Sequence, residues 1–207
     1  MSPASKIRIH RGDLPANVDL GSAVAVDSET MGLRPHRDRL CVVQLSSGDG
    51  SAHLVQIPQG PVDAPNLAAL MADTSVLKLF HYARFDVAVL QHALGVQTAP
   101  IYCTKIASKL ARTYTDRHGL KDLCNELLGV GISKEQQSSD WGADKLSDAQ
   151  ATYAASDVLY LHALKQRLDD MLAREGRTEL AQAAFDFLPT RAGLDLAGFA
   201  DMDIFAH

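Results

Sequence analysis

Three short apolar runs separated by turn-forming sequence stand in the first third of the chain: Ala23-Val24-Ala25-Val26, Leu40-Cys41-Val42-Val43-Gln44-Leu45 and Ala52-His53-Leu54-Val55-Gln56-Ile57. Runs this short, bounded by turn residues, read as strands. Ser46-Ser47-Gly48-Asp49-Gly50 is the turn between the last two. The expectation is a three-strand meander, most simply antiparallel. From Pro65 the period becomes helical, with Leu67, Leu70 and Met71 on one face. Residues 76–80 read as a fourth strand, 85–94 as a helix ended by Gly95, and 101–103 as a candidate fifth strand. The remainder is helical: 105–112, 120–128, and one long helix from 148 to about 174, opened by a Ser147/Gln150 capping box. This order predicts an α/β fold, a mixed sheet flanked by helices on both faces.

At 207 residues the chain is expected to form one domain. Its arm, 176–207, is apolar enough (Phe185, Phe187, Leu188, Leu194, Leu196, Phe199, Ile204, Phe205) to pack on its own domain or on a neighbouring subunit. Lys plus Arg number 20 against 25 Asp plus Glu, a net charge of −5. That disfavours gripping long nucleic acid by overall charge and leaves room for a short one held at a single site. Cys41, Cys103 and Cys124 are odd in number and form no CxxC, as suits a reduced cytoplasm. Eight histidines, among them His10, His36, His53 and His92, show no HxxxH or HExxH zinc spacing. The longest apolar run, 67–72, is far below the roughly 18 residues that span a bilayer. The first fifteen residues have no apolar leader core. A cytoplasmic protein without membrane contact is expected.

Three segments carry chemistry. Asp27-Ser28-Glu29 closes the first strand, and alternation turns both carboxylates to one face. Alone, such a pair is commonly two solvated acids; a hard cation is its functional occupant. His81-Tyr82-Ala83-Arg84-Phe85-Asp86 opens a helix, where an acid is favourable in the first turn for any chain. Tyr153 and Asp157 share a helix face at i, i+4, a pattern that ordinary packing also gives.

Taken together and in order, these segments resemble the three motifs of the DEDD 3′–5′ exonucleases, in the ribonuclease D-like branch with the ribonuclease H-like fold. The resemblance spans 24–168, including Gly119-Leu120-Lys121-Asp122-Leu123 and Lys134-Glu135-Gln136-Gln137-Ser138-Ser139-Asp140-Trp141. It implies catalytic Asp27, Glu29, Asp86, Tyr153 and Asp157, with the four acids holding two divalent cations, Mg²⁺ or Mn²⁺. In the family pattern Asp27 bridges both ions, Glu29 and Asp157 complete the water-activating site, and Asp86 holds the second ion through waters. Thr152 stands where the histidine subclass has its base, so Tyr153 implies the tyrosine subclass. Asp144-Lys145 replaces the Arg-Pro usual in larger ribonucleases D, and contacts of that arginine are not carried over. About thirty residues follow the catalytic helix, too few for the helical binding domains those relatives append. Its compactness and the segments HRGDLP, RPHRDRLCVVQLSSGDG, QQSSDW, YAASDVLYLH and DIFAH are similar to the nano-RNase C group. That bacterial family cleaves RNA dinucleotides and assembles as an octameric ring.

The resemblance implies an exoribonuclease that takes short RNA, above all 5′-phosphorylated dinucleotides including pGpG, to nucleoside 5′-monophosphates. Thr30-Met31-Gly32-Leu33 leads out of the first motif; Leu33 is either a wedge between the two bases or a leucine capping the core. His81 and Phe85 are further candidate contacts. Lys105, Lys109 and Arg112 form one helical stripe, with Arg117, His118 and Lys121 beyond, either a phosphate contact or a solvated face. Gln136, Gln137, Ser138 and Trp141 line the cleft, unless Trp141 is a core anchor. The alternatives are a ribonuclease D-like enzyme on longer RNA or DNA 3′ ends, and a catalytically silent scaffold. Four clustered acids argue against the scaffold, because without a cation they only repel.

Overall fold

The computed structural model describes residues 6–133 and 135–207. Residues 1–5, part of the stretch read for a leader, and Lys134, which opens the segment ending at Trp141, lie outside the described residues. Six strands form one mixed sheet: β1 (Lys6–Arg11), β2 (Ala23–Thr30), β3 (Leu40–Ser46), β4 (Ser51–Gln56), β5 (Leu77–Phe80) and β6 (Ile101–Cys103), in the order β1-β4-β3-β2-β5-β6. The meander β2-β3-β4 is antiparallel as expected; β5 and β6 extend it in parallel with β2. This is the expected α/β, ribonuclease H-like mixed sheet. Strand β1, paired in parallel to β4, was not anticipated, although Lys6-Ile7-Arg8-Ile9-His10-Arg11 alternates as an edge strand does.

Helices α1 (Pro65–Ala72), α2 (Ala83–Leu94), α3 (Thr104–Ala111) and α4 (Leu120–Leu123, continued by a π turn at Cys124–Leu128) cover the sheet together with α5 (Asp148–Leu159), α6 (Leu161–Arg174) and α7 (Thr178–Leu194). Gly95 ends α2 in the left-handed region at φ 70°. The capping box of α5 is complete: Gln150 N–H donates to Ser147 Oγ, and Ser147 N–H donates to Gln150 Oε1 at 2.9 Å. The long helix expected over 148–174 is two helices, because Tyr160 leaves helical geometry at φ −107° and ψ −4°. Leu161, Leu164, Leu168 and Leu172 continue the buried stripe beyond the break, so the periodicity does not reveal it.

The first part of the arm, α7, packs on the main core. Ala181, Phe185, Leu188 and Ala192 of α7 are buried in the main core, and Phe185 packs on Tyr102 with centroids 4.6 Å apart. Each large apolar side chain so buried contributes about 1.5–3 kcal/mol. Arg84 holds Asp195 at the far end through two N–H donations. Leu180, Phe187, Phe199, Met202, Ile204 and Phe205 stay exposed. No helix among the described residues is long and apolar enough to cross a membrane.

Candidate active site

Cross-strand pairing fixes the faces of Asp27-Ser28-Glu29. Asp27 lies opposite Gln44 and Glu29 opposite Val42; Gln44 in turn lies opposite Leu54 of β4. On that face Val42 and Leu54 pack with Ala151 and Ala154 of α5 and with Trp141. Helix α5 thus runs over the acids and delivers Asp157. Carboxylate oxygens of Asp27, Glu29 and Asp157 lie within 4.8 Å of one another. Tyr153, one turn earlier, shares the helix face of Asp157, whose charge acts on its hydroxyl, and its ring packs on Trp141 at 5.9 Å.

Asp86 comes from the first turn of α2, reached through Tyr82 in the left-handed region at φ 70°. A non-glycine residue there is uncommon and costs energy. Asp86 is 4% exposed and accepts a hydrogen bond from Ser28 Oγ at 2.6 Å. It is not within the 4.8 Å set, but its charge acts on all three members.

None of the ion pairs among the described residues involves any of these four acids. Burial and then the Asp86, Asp157 and Glu29 charges push Asp27 well above the carboxylate range. Burial and then Asp157 and Asp86 push Glu29 up to about 9. Burial, with Asp86 adding, raises Asp157 to about 7; burial raises Asp86 to about 7 against the pull of its Ser28 hydrogen bond. Tyr153 rises for the same reasons, burial first and then the charges of Asp157, Glu29 and Asp27, so it keeps its proton at neutral pH. Convergent oxygens with no balancing cation of the protein's own fit hard divalent ions.

This arrangement sets a pH dependence. Each raised carboxyl holds a proton in the folded chain that the unfolded chain, with values near 4, releases. The stability these groups contribute is full below about pH 4 and is lost as pH climbs through about 7 for Asp86 and Asp157 and about 9 for Glu29. In chelator the melting temperature will fall between about pH 5 and about pH 9. Added Mg²⁺ will raise it more at the alkaline end, since ligands must be deprotonated to bind. A pH-independent Mg²⁺ effect in a melting series would contradict this account.

Residues 13–173 match the 3′–5′ exonuclease family. The chain belongs to this family. Ribonuclease D of Gluconacetobacter diazotrophicus is 35% identical over 156 residues, 75% of this chain and 39% of that protein. The chain therefore spans about two fifths of the length of such curated relatives. Among solved structures, Brucella melitensis NrnC bound to pGG is 62% identical with a TM-score of 0.94, over 98% of both chains. The same protein with bound Mg²⁺ is 60% identical at a TM-score of 0.94, over 98% of this chain and 99% of that one.

Around these acids the expected substrate residues are placed unequally. Leu33 is 84% exposed, so it does not cap the core. Its loop is tied: Met31 N–H donates to Arg39 O, and the Asp38 carboxylate accepts from Arg34 N–H and the Arg37 guanidinium. Gly32 allows this closure, because a Cβ there would stand 2.3 Å from Asp38 Oδ2. Thr30 donates to Gly32 O and pins the turn from the strand side. Gly142 meets the loop, for a Cβ on it would lie 2.6 Å from Met31 Sδ. The turn before it, 135–138, leaves Gln137 and Ser138 exposed and Gln136 partly so.

Arg112 is a correction. It is fully buried at the end of α3, ion-paired to Glu126 and donating to Ser108 Oγ and Arg117 O, so it has no group free for phosphate. Trp141, 3% exposed, is the core anchor behind Tyr153 and not a cleft wall. Lys105 lies over the Tyr82 ring at 4.0 Å, Lys109 and Lys121 are exposed, and Arg117 pairs with Asp122. His118 Nδ1 meets Ser108 Oγ at 2.8 Å, and His81 Nδ1 meets Thr104 Oγ1 at 2.9 Å. Phe85 is half-buried in the core. Gln44 was not anticipated: fully buried beneath the acids, it directs Nε2 at Asp27 Oδ2 from 3.5 Å. A lone amide inside the run Leu40–Ser46 was its only signal.

Proposed function

We propose that this chain is a 3′–5′ exoribonuclease of the tyrosine subclass that cleaves very short RNA, preferentially 5′-phosphorylated dinucleotides such as pGpG, to nucleoside 5′-monophosphates. The observation that carries this is the convergence of Asp27, Glu29 and Asp157, backed by Asp86 and Tyr153. The full-length likeness to a protein bound to pGG supports the dinucleotide.

Asp27, Glu29, Asp86 and Asp157 are the residues that hold two Mg²⁺ or Mn²⁺ ions. Those ions, when bound, supply an activated water and stabilise charge on the leaving 3′ oxygen. Tyr153 keeps its proton and orients the attacking water instead of deprotonating it. Leu33, projecting from a tied loop, parts the two bases. Lys105, Lys109, Arg117, His118 and Lys121 are the candidates for the 5′ phosphate. Phe187, Phe199, Ile204 and Phe205 form the outer face through which copies assemble, an octameric ring by family resemblance. Three free, buried cysteines suit work in the cytoplasm.

Likeness to ribonuclease D supports a second reading, a trimmer of longer RNA or DNA 3′ ends. A time course on end-labelled RNAs of two to seven nucleotides, beside DNA of the same lengths, separates the two. The dinucleotide will be consumed fastest. Leu33→Ala will narrow its advantage over the heptanucleotide, and loss of the substrate's 5′ phosphate will weaken binding about 10- to 100-fold, as for hydrogen bonds to a charged group. Equal rates at all lengths would favour the second reading.

A further inference from the structure

The three residues that end β2 serve both layers of the fold. Asp27 and Glu29 face α5; Ser28, lying opposite Val43, faces the other side, where Val43 and Val55 pack against Val87 and Leu90 of α2 in the main core. There Ser28, 8% exposed, donates its hydroxyl to Asp86 Oδ1 at 2.6 Å, a buried contact between positions 58 residues apart. Asp86 is the one acid outside the 4.8 Å set, and Ser28 ties its carboxylate to the strand that carries two of the other three. A serine hydroxyl with a carboxylate acceptor can only donate, and one such bond occupies one oxygen and fixes the rotation of the group.

We infer that Ser28 is a positioning residue for cation binding: its hydroxyl holds the Asp86 carboxylate in the orientation in which Asp86 would serve as a ligand. This rests on the cation-dependent reading of the site. An aliphatic residue at 28 would preserve the alternation of the strand and leave Asp86 buried without this donor. The residue between the two acids is therefore part of the site, although its side chain points away from it.

The test is a calorimetric titration of the full chain with Mn²⁺, beside the Mn²⁺ dependence of dinucleotide cleavage, for wild type, Ser28→Ala and Ser28→Thr. Ser28→Ala will bind the weaker ion about 10- to 100-fold less tightly, the range set by a lost hydrogen bond to a charged group. Its kcat will fall at low Mn²⁺ and recover largely as Mn²⁺ is raised, which a packing defect would not show. Ser28→Thr, which keeps the hydroxyl, will stay near wild type in both measurements. A Ser28→Ala protein within twofold of wild type in Mn²⁺ affinity and rate, with wild type active, overturns the role of Ser28 alone. Wild-type protein that neither binds Mn²⁺ nor cleaves overturns the site reading itself.

Discussion

Asp27→Asn will bring cleavage of every substrate down by at least ~10⁴-fold, the scale seen when one member of a catalytic unit is removed. Asp27 has the most crowded position of the four acids: Asp86, Asp157 and Glu29 all act on its charge, and Gln44 lies beneath it. An amide keeps the shape but loses one anionic oxygen where the cluster has no spare ligand. The same change will act in the opposite direction on stability. In chelator at about pH 8, Asp27→Asn will melt above wild type, because folding no longer has to bury the Asp27 charge or take up a proton to neutralise it. Single-turnover rates and melting curves on one preparation check both. Activity within a few-fold of wild type would remove Asp27 from the site.

Tyr153→Phe will lower kcat by about 10²–10⁴-fold, the range of a lost acid–base or water-positioning group. KM for the dinucleotide will stay nearly constant. The ring is retained, so its packing on Trp141 survives, and only the hydroxyl beside Asp157 is removed. Because burial holds that hydroxyl protonated, the kcat–pH profile of wild type should show no limb belonging to tyrosine ionisation below about pH 9. Steady-state kinetics over that range check the role, and an unchanged kcat would leave Tyr153 as packing.

What could be read from the chain in advance was local. The capping box of Ser147 and Gln150, the stop at Gly95 and the meander are set by residues within a few positions of each other. Asp27, Glu29, Asp86, Tyr153 and Asp157 could be picked out by order and element, whereas their spacing in three dimensions could not. The misses are nonlocal. Arg112 shares the cationic stripe of Lys105 and Lys109, but its partner Glu126 lies fourteen residues on and draws it inward. Strand β1 alternates clearly, yet its place depends on a parallel partner some forty-five residues away. Ser28 and Gln44 went unremarked because strand alternation assigns a face and not a contact.

The tied loop around Leu33 separates two properties that are usually entangled. Its shape is dictated by position 32, where a side chain would collide with Asp38, and by the hydrogen bonds of Asp38 and Arg39; the exposed side chain at 33 takes no part. Residue 33 is thus free to vary in size while the backbone stays in place, and residue 32 is not. A library confined to position 33 should yield a graded series of substrate-length preferences from one scaffold, whereas any change at 32 or 38 should disturb all of them together. Divergence among such enzymes could then proceed by one-residue steps at a single exposed site, with no loss of fold along the way.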